Sequence, residues 1–325
     1  MLRIIAVVLH IYVTTWVWVM DCPAAKAGEI VHLPVTRDTW VSSYQQHDQD
    51  ERPANLGGEP RLKLKGIQEM TLLDVAPDAL QGRVIEKVEL HLRKQGPEPL
   101  LRVSVSSLSS PWVEGSGRGY RVVEGAASFA MAQQGKRWWS YEQSDLTSVM
   151  MGEGSTRWSS SVVRGPDTQG WQVIEVEPVV MAMRVAGLSH GFAVMDDIGT
   201  EYQRVGDKLV IREFPNRYVG SREAGLGWSP YFAVTLGERD DQPPGQVGEI
   251  EVVSENLPAG EAILRWQTPA DIGPSGTLGF HGRYQTGENF QWETAQALPG
   301  WCVPLAGKAG SPGGTGGAGG CGTGG

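Results

Sequence analysis

Through the first two-thirds of the chain, apolar and polar residues alternate with a period of two, the pattern of strands with one buried and one wet face. Arg61-Leu62-Lys63-Leu64-Lys65 sends Leu62 and Leu64 to one side and three cations to the other. Val88-Glu89-Leu90-His91-Leu92-Arg93 repeats the arrangement, and Leu101, Val103 and Val105 point inward in the next run. The separators Asn55-Leu56-Gly57-Gly58, Gln95-Gly96-Pro97 and Gly115-Ser116-Gly117 supply the turn conformations that hairpins require. An all-β chain of antiparallel sheets is predicted. Two short helices interrupt it: a capping box of Ser140 and Gln143 precedes Leu146 to Met151, and Pro178 opens a helix over Val179 to Ala186 that Gly187 ends.

The alternation is bracketed by segments of other character. Residues 1–27 have the form of an export signal: Arg3, an apolar run from Ile4 to Met20, then Ala25-Lys26-Ala27 as a cleavage site. The run is about 17 residues against the roughly 20 needed to span a bilayer, and Asp21 before Cys22 does not suit lipidation. Secretion follows, to the medium or the cell surface. Losing Arg3, Lys26 and Asp21 takes the formal charge from −9 to −10, which gives no attraction to nucleic acid. The remaining cysteines, Cys302 and Cys321, lie at the far end, so the main domain (28–237) must be held by an ordinary core. Residues 238–245, with Asp240-Asp241 and Pro243-Pro244, have linker composition. Residues 246–307 again carry strand patterns, among them Ala262 to Trp266 and Phe280 to Gln285, and 308–325 form a glycine-rich tail expected to be disordered.

A set of short motifs separates the strands: Asp38-Thr39-Trp40, Asn55-Leu56-Gly57, Leu72-Leu73-Asp74, Trp112-Val113-Glu114, Thr156 with Trp158, Gly170-Trp171, Ser221-Arg222-Glu223 and Pro230-Tyr231. In order and spacing this set resembles the DNRLRE-type domain, related to carbohydrate-binding modules of extracellular polysaccharide-degrading systems. The resemblance implies a jelly-roll-like antiparallel β-sandwich over about residues 30–236 that binds an acidic polysaccharide. It departs from the family at Leu72 to Val75, which lacks the usual arginine and phenylalanine, and at Glu175, where aspartate is usual. The run Leu264 to Pro269 followed by Arg283-Tyr284 resembles the first half of a fibronectin type III domain, which implies an incomplete immunoglobulin-like module and further domains downstream.

The candidate binding residues form two groups. Alternate residues of a strand face one way about 6.5 to 7 Å apart, on the scale of a sugar unit, so Arg61, Lys63 and Lys65 make a basic stripe suited to carboxylates. The alternative is a solvated face that guards an edge. Trp138, Trp139 and Tyr141, flanked by Lys136 and Arg137, offer flat rings beside cations, unless one tryptophan plugs the sandwich. Trp40, Trp171 and Trp228 are expected in packing, and Ser221-Arg222-Glu223 as an internal pair anchoring the last strand. Asp196, Asp197 and Glu201 form an acidic cluster of the kind that can hold calcium, although a calcium loop uses about six oxygens and a solvated turn is the alternative.

Catalysis leaves no signature. There is no Gly-x-Ser-x-Gly, His-Glu-x-x-His, Gly-x-Gly-x-x-Gly or phosphate loop, the histidines lack metal-ligand spacing, and no carboxylate pair stands out. The expectation is a non-catalytic module needing no cofactor, with extracellular polysaccharide as its partner and no membrane contact after cleavage. A structural or adhesion module and a divergent polysaccharide lyase or hydrolase stay open as alternatives.

Overall fold

The computed structural model describes residues 28–314 apart from 47, 153–154, 199–200, 213–214, 254, 256, 258–262 and 286–288. The expected export signal, Cys321 and most of the glycine-rich tail lie outside the described residues. The chain divides into two compact units, one over 26–81 and 85–237 and one containing 238–325.

The larger unit is all-β with one short helix. Its principal elements are β1 (Glu29–Ser42), β2 (Arg61–Leu64), β3 (Glu69–Val75), β4 (Arg83–Arg93), β5 (Arg102–Ser107), β6 (Trp158–Val162), β7 (Trp171–Val176), α1 (Pro178–Val185), β8 (Phe192–Asp196), β9 (Arg217–Gly220) and β10 (Tyr231–Arg239). Eight strands follow in the order β6-β5-β8-β3-β1-β10-β4-β7, and β2 pairs with β9 apart. Strand β1 is shared by two layers. Glu29 to Pro34 pair with Leu236 to Tyr231 of β10, and from Val35 onward β1 pairs with β3, with a register shift between Val35 and Arg37 inside that second pairing. The outer edges also meet, since Arg164 and Val173 exchange backbone hydrogen bonds of 2.9 Å beside β6 and β7. The result is a sandwich nearly closed into a barrel, the form that leaves little edge open to other strands.

The alternating residues fill it. Val88, Leu90 and Leu92 of β4, Val103 and Val105 of β5, Ile174 and Val176 of β7, and Phe192 and Val194 of β8 are buried together. Leu101 is the exception to the expected alternation: it precedes β5 and is 44% exposed. A second cluster lies on the opposite face of β3 and β8, where Met70, Leu72, Ala193 and Met195 meet Trp112, Phe129, Trp139, Leu146 and Val149. The long segment 108–151 covers that face, and every residue of β3 is therefore buried. One-wet-face alternation fails here because the chain supplies its own second cover.

Local signals place the helices. Pro178 occupies the first turn of α1 and Gly187 (φ +73°) follows its end, as expected. The turn Leu146–Val149 is 3-10 rather than α, and its cap is Asp145, whose side chain accepts from the Thr147 N–H at 3.0 Å. The capping role assigned to Ser140 is thereby corrected.

The smaller unit holds β11 (Glu251–Val253), β12 (Ile263–Gln267) and β13 (Pro312–Gly314) in one antiparallel sheet. Leu264 and Trp266 of β12 pack with Phe280, Val303 and Ala306. The third expected strand shortens to Arg283–Tyr284. Residues 312–314, expected to be disordered, instead form an edge strand on β12. Glycine suits it, because a Cβ on Gly313 would stand 2.8 Å from the Trp266 indole nitrogen. Cys302 is buried and disulfide-bonded.

A cationic and aromatic patch on a polar frame

The separator motifs converge into a frame. Asn55 is fully buried, and its side-chain amide donates to the carbonyls of Glu114 and Ala127 at 2.7 and 2.8 Å while its Oδ1 accepts from the Gly117 N–H at 2.8 Å. This fixes the loop after Trp112. Glycine is required there: a Cβ on Gly117 would lie 2.2 Å from the Asn55 carbonyl oxygen. Arg222 ties the same loop to the end of β9 through Glu114, at 2.9 and 3.0 Å, and meets Glu223 at 3.2 Å. Ser221-Arg222-Glu223 thus makes the internal pair that was expected and a second pair that was not. Asp38 closes the group, accepting from the Arg222 N–H at 2.9 Å. Burial pushes the Asp38 carboxyl up to about 8, against the Arg222 hydrogen bond and with the help of the neighbouring Glu223 and Glu114. On the far side, Asp74 receives both Arg37 and Arg184, and the Arg37 guanidinium lies 4.4 Å from the Trp112 ring centroid.

The basic stripe sits beside this frame, and the structure splits it. Arg61 is exposed and Lys65 half-buried, but Lys63 is buried and paired with Glu69 at 2.8 Å. The three cations therefore do not share one solvated face. Lys63 faces inward because β2 packs against β1 and β3, and its ammonium stands 5.4 Å from the centroid of the buried Trp40 ring. Burial lowers the Lys63 pKa, yet the hydrogen bond and charge of Glu69 outweigh it, so lysine is held above its ordinary value.

Aromatic residues that the sequence did not single out surround this pair. Tyr120 meets Trp40 edge to face at 5.6 Å, is 42% exposed, and is held in the left-handed region at φ +61°. A bulky residue with positive φ is a local cost that the frame sustains. Burial raises the Tyr120 pKa, and nearby Lys63 works against that rise. Tyr218 of β9, the register partner of Lys63, carries the Arg61 guanidinium 4.2 Å from its ring centroid. The patch thus presents an exposed guanidinium stacked on one tyrosine, a second tyrosine, and Lys65, over a buried Lys63–Glu69–Trp40 base. Cations pair with carboxylates, and rings take the C–H faces of sugars.

The second candidate group divides likewise. Trp139 is fully buried and donates its indole N–H to the Ser128 carbonyl at 2.9 Å, so it plugs the core. Arg137 donates to the Pro111 carbonyl, and Trp138 is half-buried in a short hairpin with Met131. Only Lys136 and Tyr141 of that group face solvent, the latter 67% exposed.

Two of the three residues of the calcium candidate are committed to other partners. Asp196 is 2% exposed and forms a buried ion pair with Arg217, and Asp197 accepts from the Ser160 hydroxyl. The Glu201 side chain lies outside the described residues. Trp40 is in the packing, as expected, and Trp171 and Trp228 are half-buried, Trp171 edge-on to Tyr231 and Trp228 beneath the Arg93 guanidinium.

Neither a protein-family model nor a curated protein matches the sequence.

Proposed function

We propose that this chain is a secreted carbohydrate-binding module, and that it holds an acidic polysaccharide at Arg61, Lys65, Tyr120 and Tyr218. One observation carries the reading: the exposed Arg61 guanidinium stacked 4.2 Å over Tyr218, next to the exposed Tyr120. Stacking fixes the guanidinium plane, so little side-chain freedom is lost when it takes a carboxylate in two parallel hydrogen bonds. The Lys63–Glu69 pair spends its charge internally and acts as support, not as a ligand contact. The resemblance of the separator motifs to the DNRLRE-type domain and the export signal favour the same reading. Arg137 and Trp139 drop out of the binding set on this account.

The test is an affinity screen of the purified chain against alginate, pectin, sulfated glycans and neutral glucans, with sugar release monitored in parallel. Binding to one class of acidic glycan is expected, weakened at least about tenfold in Arg61→Ala and in Tyr218→Ala, and unchanged in Trp138→Ala. Retention of full affinity in an Arg61→Ala/Lys65→Ala double variant sinks the assignment. Release of sugar products would replace it with an enzymatic one.

A further inference from the structure

Three segments far apart in sequence bring carboxylates together: Asp38 in β1, Glu114 after Trp112, and Glu223 in the 3-10 turn Arg222–Ala224. One carboxylate oxygen from each lies within 4.8 Å of the other two. Several oxygens are already used. The Asp38 N–H donates to Glu114 Oε1 at 2.6 Å, Arg222 N–H to Asp38 Oδ2 at 2.9 Å, and Arg222 Nη2 to Glu114 and to Glu223 Oε1. Two are left over. Asp38 Oδ1, on a side chain only 1% exposed, and Glu223 Oε2 are buried and accept from no N–H or hydroxyl donor, the two carboxyls standing within hydrogen-bond reach of each other.

Such atoms need an explanation, because an unpaired buried carboxylate oxygen costs several kcal/mol as a rule. Charge makes the same point. Three carboxyl groups face one guanidinium, so once a cation displaces the Asp38 proton the cluster carries a surplus of two negative charges, which one divalent ion cancels. Every donor is oxygen, which suits a hard cation and not a metal that prefers thiolate or imidazole. The set also differs from the Asp196 loop, whose carboxylate is already taken by Arg217.

We propose that Asp38, Glu114 and Glu223 bind one divalent cation of the calcium type, with Asp38 Oδ1 and Glu223 Oε2 as ligands and water completing the shell. The ion ties β1, the loop that carries Tyr120, and the end of β9 into one support. This site stands independently of the glycan reading: a chain that binds no polysaccharide still shows it.

The experiment is thermal unfolding of the purified chain after chelator treatment, with and without about 10 mM calcium, a concentration that saturates sites of extracellular affinity. Terbium luminescence sensitised by tryptophan serves as a direct binding readout. Wild type should melt at least about 5 °C higher with calcium and bind terbium in a calcium-reversible manner. Glu223→Gln, at the solvent side of the cluster, should fold and lose both effects, and Asp38→Asn should match it. If Asp38→Asn does not fold, Glu223→Gln alone decides. A wild type indifferent to calcium and terbium overturns the proposal and leaves a shared proton to close the two oxygens. Effects that persist in Glu223→Gln overturn it too, by placing the ion elsewhere.

Discussion

Lys63 shows what alternation conveys and what it withholds. Its place between Leu62 and Leu64 predicts a side chain on the opposite face, which is correct, but nothing local says that this face is also covered. The cover comes from Trp40 and Tyr120, and the charge from Glu69, six residues on and opposite across a turn. Removing one partner leaves the other buried and charged, so Glu69→Ala should destabilise the chain by about 3 to 5 kcal/mol, seen as a lower urea midpoint. The double change Lys63→Met/Glu69→Leu should recover most of that loss. A second residue, His190, supplies a pH signature. Burial, then the Arg184 and Arg37 charges, holds its pKa down to about 4 from 6.5. The folded imidazole binds its proton more weakly than the unfolded one, so its contribution is whole above pH 6.5 and is lost as pH falls towards 4. Calorimetry across that window should show a decline of about 3 kcal/mol at most, abolished in a folded His190→Gln variant.

Among the elements, those set by local chemistry were the legible ones. Pro178 and Gly187 bound α1 within a residue of its observed ends, and β4 buries Val88, Leu90 and Leu92 as its pattern dictates. The burial of strand β3 on both faces was not legible, because its outer cover, residues 108–151, lies more than thirty residues downstream and has little regular structure. The patch was half legible: Arg61 and Lys65 stand out as cations, whereas Tyr218 joins them only through the pairing of β9 with β2. The frame was visible as motifs and not as a network, since Asn55, Glu114 and Arg222 carry no sign in sequence that they touch. The loop after Trp112 tests that network. Gly117→Ala drives a Cβ into the Asn55 carbonyl and should cost about 2 to 4 kcal/mol by chemical denaturation. It should also weaken glycan binding by displacing Tyr120, whereas Gly119→Ala, with open space around its Cβ but a φ of +59°, should cost only about 1 kcal/mol.

At the scale of the molecule, formal charge and local charge point in opposite directions. The chain carries −9 overall, so the proposed attraction to an acidic polymer has to be short-ranged and confined to the patch. Raising ionic strength from about 0.05 to 0.5 M shortens the screening length from more than 10 Å to under 5 Å; affinity for the acidic glycan should fall about tenfold or more, while any neutral glucan binding stays level. The all-β architecture was legible because period-two alternation dominates the chain; the sharing of β1 between layers was not, because the change of partner between Pro34 and Val35 leaves the alternation along β1 without a break that names the neighbours. That sharing has a kinetic consequence. A strand stitched to Tyr231–Leu236 along one half and to Glu69–Val75 along the other cannot be released from either neighbour without dragging at the second. Deuterium uptake at Val31 and at Thr39 should consequently run at one common, slowest rate, the rate of whole-unit opening, and two separate rates would mean that the halves of the seam come apart on their own.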